Sequence, residues 1–382
     1  MPDQFLHGVE VVEITDGLRP IQTVQSAVIG IIGTAPDADA DVFPLNTPVL
    51  LAGRPPASAD IGSSGTLKNA LDGIYDQAGA VVVVVRVEEG VNNAATLDNV
   101  IGDAGDNTGV HAFKTSQSVL GVTPRILIAP GFSFEAGVTT ELLVVANKVR
   151  GIVVADAGNA VSTAASAQNF ASGFGSDRLY CVFPYVKVLR DGVESAEPTS
   201  SRAAGLIAKS DNDRGFWWSP SNQEILGIVG TATPIDFQLG EASSLANILN
   251  ENKVATVIRQ DGFRLWGNRS TTTDTNWMFL QTRRTADIIN QSLLRAHMWA
   301  VDRNITKTYI SDVTAGVNSY LNDLKAQGAI LGGTCWADPE LNTPSAISQG
   351  KVYFSFDFTP PYPAEHVTFR SLLTKDYLED IV

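Results

Sequence analysis

Residues 260–270 read QDGFRLWGNRS, with two arginines, an aspartate, an asparagine and a tryptophan crowded around two glycines. Guanidinium groups beside glycine-freed backbone N–H groups are the means by which a loop grips a phosphate or another oxyanion. The same groups can instead satisfy one another within a hairpin or strand. A second stretch, DNDRGFWWSPSNQEILGIVG at 211–230, has the same mixture of Arg with Asp and of Trp or Phe beside Gly. Arg214, Arg264 and Arg269 can pair two-pronged with carboxylates and cover the faces of aromatic rings. Such groups pin loops against one another and strands against partner subunits, and Trp217 and Trp266 belong to this framework, Trp266 as a largely buried ring. An anion-binding pocket with chemistry would need a nucleophile or a base as well.

The sequence offers neither in a recognisable setting. It has no G-x-x-x-x-G-K-[ST] loop, and VIGIIGTAP at 28–36 lacks the G-x-G-x-x-G turn of dinucleotide sites. GSSG at 62–65 can cradle a phosphate ahead of a helix, or serve as a turn and helix cap. His7, His111, His297 and His366 stand at no metal-ligand spacing. His297, in LLRAHMWAV, reads as a packed, hydrogen-bonded helix residue. Asp211 and Asp213, in KSDNDRGFWW, read as solvated or capping groups at a helix end. APGFSFE is not the G-x-S-x-G elbow. Cys181, in RLYCVFP, reads as a buried free thiol, and with Cys335 alone beside it there is no disulfide framework and no zinc spacing. The expectation is a protein with no catalytic residues, no cofactor and no metal.

The elements that would position these groups can be read from hydropathy. The chain has 382 residues, 44% of them hydrophobic, with 16 Phe and 6 Trp, enough for a sizeable core. A net charge of −14 repels phosphate backbones, so no nucleic-acid partner is expected. The longest apolar run, AGAVVVVVRV, is too short to span a bilayer, and MPDQFLHGVEVVEITDG lacks the basic start and apolar run of an export signal. No membrane insertion and a reducing cytoplasm follow as expectations.

SAVIGIIGTAP, VLLAG, VVVVVRV, PRILIAPG, GIVVADAG and DRLYCVFPYVKV read as strands. TLKNALDGIYDQAG, TTELLVVANKVR, TAASAQNFASGF and TSSRAAGLIAKSDNDRG read as the helices between them, the last with Thr199 or Ser200 as N-cap. Alternating strands and helices argue for a doubly wound, mainly parallel α/β sheet. Residues 90–122 are polar and small and read as short helices and loops. Past about residue 210 the style changes to α+β. VATVIRQDGFRLWGNRS and GKVYFSFDFTP alternate as strands, and SDVTAGVNSYLNDLKAQGA is a helix with Val313, Val317, Tyr320, Leu321 and Leu324 on one face. HGVEVVEI near the start and EHVTFRSLLTKDYLEDIV at the end read as extended arms with strand character.

Four long segments carry a resemblance: GFWWSPSNQEILGIVGTATPIDF at 215–237, IRQDGFRLWGNRS at 258–270, WAVDRNITKTYISDVTAGVNSYLNDLKAQGAI at 299–330 and QGKVYFSFDFTPPYPAEHVTFR at 349–370. With FLHGVEVVEI and PRILIAPG they make the chain resemble the tail sheath proteins of contractile phage tails, nearest in kind to P2-like phages and R-type pyocins. The resemblance implies subunits stacked as hexameric rings around a tail tube. They are assembled in a bacterial cytoplasm in an extended state, and contract to drive the tube through an envelope. It implies an N-terminal arm (1–20), an outward-facing α/β domain (21–210, variable at 90–122), a tube-facing α+β domain (211–370) and a C-terminal arm (371–382). Val9, Val11 and Ile14, and Phe369, Leu372 and Tyr377, would be the arms' inter-subunit residues. Asn318, Asn322, Asp323 and Lys325 would face the tube from the helix near 311–327. The implied partners are further copies of the chain, the tube protein, and baseplate and terminator proteins, and the location is the virion tail. A headless phage-derived device would use the same subunit. An α/β nucleotide- or sugar-processing enzyme is the reading outside this class.

Overall fold

The computed structural model describes residues 20–377. In chain order the elements are β1 (Ile29–Thr34), β2 (Pro48–Ala52), α1 (Ser58–Ile61), α2 (Leu67–Tyr75), β3 (Val81–Val87), α3 (Asn93–Ile101), α4 (Ser116–Leu120) and β4 (Ile126–Ile128). There follow α5 (Ala136–Val149), β5 (Ile152–Asp156), α6 (Ala164–Ser172), β6 (Leu179–Val182), β7 (Val186–Arg190), β8 (Val193–Glu197) and α7 (Thr199–Arg214). The remainder comprises β9 (Gln223–Glu224), β10 (Gly230–Thr231), α8 (Leu245–Glu251), β11 (Val254–Arg259), β12 (Phe263–Trp266), α9 (Leu280–Ala296), α10 (Lys307–Ala326), β13 (Gly332–Ala337), α11 (Pro344–Ser348) and β14 (Phe354–Thr359).

The β-branched runs build the centre. IGIIGT and VVVVVRV are buried on both faces, as strands of a covered parallel sheet must be. The sheet order is β2-β3-β1-β4-β5-β6-β11-β12-β9. From β3 to β11 the neighbours run parallel, and β2, β12 and β9 are antiparallel additions at the two ends. Ile29, Ile31, Val82 and Val84 point to one face, against Leu71 and Ile74 of α2 and Ala204 and Ile207 of α7. Ile32, Val83, Val85 and Leu127 point to the other, against Val100, Leu142, Val145 and Ala167 of α3, α5 and α6. A mixed α/β fold with a parallel-rich sheet is what the alternation of runs predicts. Residues 90–122 are more than surface loops, because Val100, Val110 and Phe113 are buried in this second core.

Several expectations need correcting. Pairing in the sheet does not stop near residue 210. The buried run VATVIR adds β11 beside β6, and the QDG turn folds β12 back along it. EHVTFRSLL is not a strand here, since residues 360–375 run without any strand partner among the described residues. Neither Thr199 nor Ser200 caps α7. Pro198 stands at the N-cap, and the orphan N–H of Ser200 is met by Asp156 from the end of β5 at 2.9 Å.

A smaller unit packs beside the sheet. α9 and α10 enclose Ile288, Ile289, Val317, Tyr320, Leu321 and Leu324, with Phe216, Ile330 and Cys335. The face of α10 named from the helical spacing is the buried one. α9 ties this unit to the sheet through buried ion pairs. Arg284 grips both carboxylate oxygens of Asp211 at the end of α7, and Arg178 grips Asp287. Asp211 is therefore not a solvated group: its side chain is 1% exposed. Asp213 does sit at the surface, paired with Lys209 one helical turn away.

Candidate assembly surfaces

QDGFRLWGNRS is the β11–β12 hairpin and the chain leaving it. Asp261 and Gly262 take positive φ in the turn, and Gln260 N–H donates to Gly262 C=O at 2.9 Å. Arg264 donates to the Gln260 carbonyl (2.9 Å) and the Asn222 carbonyl (3.0 Å), sewing the turn to the segment before β9. Trp266 is half-buried rather than largely buried, edge-on to Phe237 at 5.2 Å, because only the two-residue β9 lies beyond β12. Gly267 has φ 137°, and a Cβ there would stand 2.8 Å from Ala255 Cα, so the close approach requires glycine. Its carbonyl accepts from the buried Tyr180 hydroxyl at 2.6 Å. Arg269 forks onto Glu365, with Nε 2.8 and 3.1 Å from the two oxygens. Arg214 donates to Ser210 Oγ (2.7 Å) and the Ser219 carbonyl (3.0 Å) and lies over the Trp218 ring, while half-buried Trp217 packs edge-on to Phe216. Each arginine of the two stretches is thus spent on holding loops and chain ends.

The other chemical candidates are likewise engaged. The backbone N–H groups of Ser63 and Ser64, in the GSSG turn, are filled from within by the Asp37 carboxylate at 2.9 and 3.0 Å. Those bonds hold Asp37 down at a pKa of about 2. His297 Nδ1 bonds the Leu293 carbonyl at 2.7 Å, as a helix-end residue. Cys181 is buried, and burial pushes its thiol well above the ordinary range. Burial drives the Asp156 carboxyl up to about 6, against the opposing hydrogen bonds of Ser200 and Ser133. It is a helix cap. A cavity of about 210 Å³ opens at the carboxyl ends of β1 and β4, lined by Thr66, Asn69, Tyr185, Glu197 and Ser201. Its carboxylate, Glu197, is neutralised by Arg190 and Arg202. Among the described residues no group of three or more His, Cys, Asp or Glu is placed to hold a metal ion, and no helix is long and apolar enough to cross a membrane.

Two features are left without partners among the described residues. The first is the edge of the β13–β14 ribbon. Asn318, on α10, accepts from Cys335 N–H (2.8 Å) and donates to Cys335 C=O (2.9 Å), occupying the outward groups of Cys335 in the middle of β13. It does not stand on the exposed face with Asn322, Asp323 and Lys325. Sequence reading assigned it outward because an Asn at that spacing carries no sign of a distant backbone partner. Since Cys335 faces Phe356 across the ribbon, the backbone N–H and C=O groups of Phe354, Phe356 and Phe358 point away from β13. Among the described residues no strand pairs with that edge of β14. The second feature is the extended segment after β14. Val367, Phe369, Leu372, Leu373 and Tyr377 are 63–95% exposed, five large apolar side chains interleaved with polar ones in a segment that uncovers them together. Val9, Val11 and Ile14 lie outside the described residues.

Comparison with known proteins covers most of the chain. Residues 272–374 match the family described as phage tail sheath C-terminal domain, and 105–271 match the phage tail sheath protein central domain. Residues 26–87 match the tail sheath protein Gp18 domain III N-terminal region. The chain is 42% identical to a prophage protein of Pseudomonas aeruginosa (strain UCBPP-PA14) named for a major tail sheath, over 99% of both chains. It is 38% identical to the tail sheath protein of Escherichia phage P2, over 99% of this chain and 98% of that one. In fold it is similar to the sheath of an extracellular contractile injection system (PVC) in the contracted state, with TM-score 0.73 at 16% identity over 99% and 100% of the two chains. It is also similar to the contracted helical sheath of the anti-feeding prophage, with TM-score 0.72 at 19% identity over 97% and 99%. The chain belongs to the phage tail sheath family.

Proposed function

We propose that this protein is the subunit of a contractile tail sheath, a structural and not a catalytic protein. Copies stack as hexameric rings around a tail tube and rearrange from a longer to a shorter, wider state that drives the tube through a bacterial envelope. One observation carries this reading: among the described residues the same chain presents a β14 edge with no strand on it and, after it, an extended segment with its large apolar side chains uncovered. An open edge is a template for another strand, and adding a neighbour's strand satisfies its backbone groups. When each subunit both donates and accepts, the lattice is a mesh whose strand pairing persists while domain faces repack.

In this reading Phe369, Leu372 and Tyr377 dock on a neighbour, and Val9, Val11 and Ile14 supply the second arm. The doubly wound α/β part faces outward, and the later α+β part faces the tube through Asn322, Asp323 and Lys325. Tube, baseplate and terminator proteins are the partners of a sheath assembled in the bacterial cytoplasm and carried on the virion tail. The test is deletion of residues 366–382. The expected product is folded by circular dichroism, monomeric by sedimentation, and forms no striated tubes in negative stain. A truncated protein that still builds tubes would sink the proposal, and one that loses its fold would assign the segment to the core.

A further inference from the structure

Between the end of β14 and Glu365 the chain reads PPYPAE, residues 360–365. Proline-rich chain is stiff, so these residues form a short strut, turned at its far end where Glu365 N–H donates to Pro363 C=O at 3.0 Å. The strut is held at both ends. One end is β14 itself. At the other, Arg269 forks onto the Glu365 carboxylate, and the Tyr362 ring lies 6.2 Å from Phe279. Arg269 is a firm anchor. Its backbone is bridged to Phe279, Ser270 N–H donates to Met278 C=O at 2.8 Å, and Leu280 N–H donates to Asn268 C=O at 3.0 Å. Past Glu365, among the described residues, the side-chain hydrogen bonds are local, between His366 and Thr368 and between Thr374 and Asp376.

We propose that Arg269 and Glu365 form a latch that fixes the direction in which the C-terminal segment leaves the body. Arg269 is then a positioning residue for strand donation. The inference rests on the strand-exchange reading above. A stiff strut released at one end swings about the other, and the donor strand beyond it then samples directions that miss the neighbour's β14 edge. The effective concentration of donor at acceptor falls accordingly. The pair is about one-third exposed on each side. It therefore contributes within the range of surface pairs, which at its upper end is about fivefold in an equilibrium constant. In a polymer that factor appears once for each subunit added.

The test compares Glu365→Gln, Arg269→Gln and the exchanged pair Arg269→Glu with Glu365→Arg, all in the full chain. The readouts are the critical concentration for polymerisation, by sedimentation, and the thermal midpoint of the unassembled subunit. Each single variant is expected to raise the critical concentration about three- to fivefold without moving the midpoint. The exchanged pair is expected to return within about twofold of the parent. Unchanged critical concentrations in the single variants overturn the latch. So does an exchanged pair no better than the singles, since packing without charge pairing would then explain them. The 366–382 deletion, run in parallel, separates the two levels. If it still assembles, strand donation itself fails; if it does not, while the single variants assemble normally, only the latch fails.

Discussion

Replacing Arg284 by Met probes the joint between the parallel sheet and the smaller unit. Arg284 and Asp211 have side chains only 4% and 1% exposed. The guanidinium meets both carboxylate oxygens and also lies 3.3 Å from the Ser26 carbonyl. Methionine fills much of the arginine stem's volume, so the loss is electrostatic and not a cavity. It leaves Asp211 buried with no countercharge, a situation that costs about 3–5 kcal/mol. Adding Asp211→Leu removes the stranded charge, and the double variant should fall within about 2 kcal/mol of the parent, because an apolar pair of similar volume replaces a buried ion pair at little net cost. Urea denaturation of the unassembled subunit, followed by tryptophan fluorescence, measures both. A single variant within about 1 kcal/mol of the parent, or a double variant costing the sum of its singles, would refute the view that this pair is a desolvated joint.

Asp156 predicts a pH dependence. Its folded-state pKa, raised from 3.8 to about 6 chiefly by burial, lies above the unfolded value. The folded protein therefore binds the proton first as pH falls. Stability from this group rises as pH drops through 6 to 4 and is lost as pH climbs back, on the order of 3 kcal/mol in all. The stability difference between Asp156→Asn and the parent should shift by that order across this window, in the variant's favour at high pH, and a difference flat with pH would contradict the assignment. At the proposed tube-facing surface, reversing the charges of Asp323 and Lys325 together should lower the yield of extended sheath around tubes. Contacts of about 0–1 kcal/mol each are involved, repeated in every subunit, and unchanged tails by electron microscopy would count against α10 as the contact.

The parts of this fold legible from sequence are those set by neighbours along the chain. VVVVVRV announces a strand buried on both faces, and the spacing of Val313, Val317, Tyr320, Leu321 and Leu324 announces the inner face of α10. Long idiosyncratic segments such as IRQDGFRLWGNRS carried the family. Where the reading failed, the deciding partner was remote. Arg284, 73 residues away, buries Asp211. At GSSG the turn reading agrees with the structure, and it too is decided remotely: Asp37, 26 residues before Ser63, fills the N–H groups that a phosphate would need. The backbone of Cys335, 17 residues on, claims Asn318. Asp156 takes the place of a local cap at α7, 44 residues off. Trp266 failed for a different reason: a large aromatic in an apolar strand is read as core, but β12 lies near the end of the sheet, where cover is thin. An arginine-rich motif alone cannot distinguish an anion site from a framework. That depends on whether carbonyls and carboxylates from elsewhere arrive first, and here they do.

The distribution of bond strength across the molecule bears on how such a subunit could change lattice without unfolding. Within the body the charge pairs are buried: Arg284 with Asp211 and Arg178 with Asp287 are two-pronged, and Arg202 bonds Glu197 through one nitrogen. Removing Arg284 leaves Asp211 a stranded charge at a cost of several kcal/mol. At the periphery the charged groups are exposed, Asp323 and Lys325 on α10 and the one-third-exposed Arg269–Glu365 pair, and their contacts fall in the range of about 0–1 kcal/mol each, while beyond Glu365 the large apolar side chains stand uncovered. A rearrangement that exchanges peripheral contacts while leaving the interior ones intact is therefore favoured by a wide margin over one that deforms the subunit. The proposed strand pairing between subunits stands between these levels. Its backbone hydrogen bonds are individually modest, but they are lost together if the donor leaves. The economical motion keeps the pairing, bends the short connections on either side of it and repacks the faces. On that account the energy released on contraction resides between subunits, and substitutions in the buried joint should change the yield of folded protein far more than they change the ratio of extended to contracted sheath.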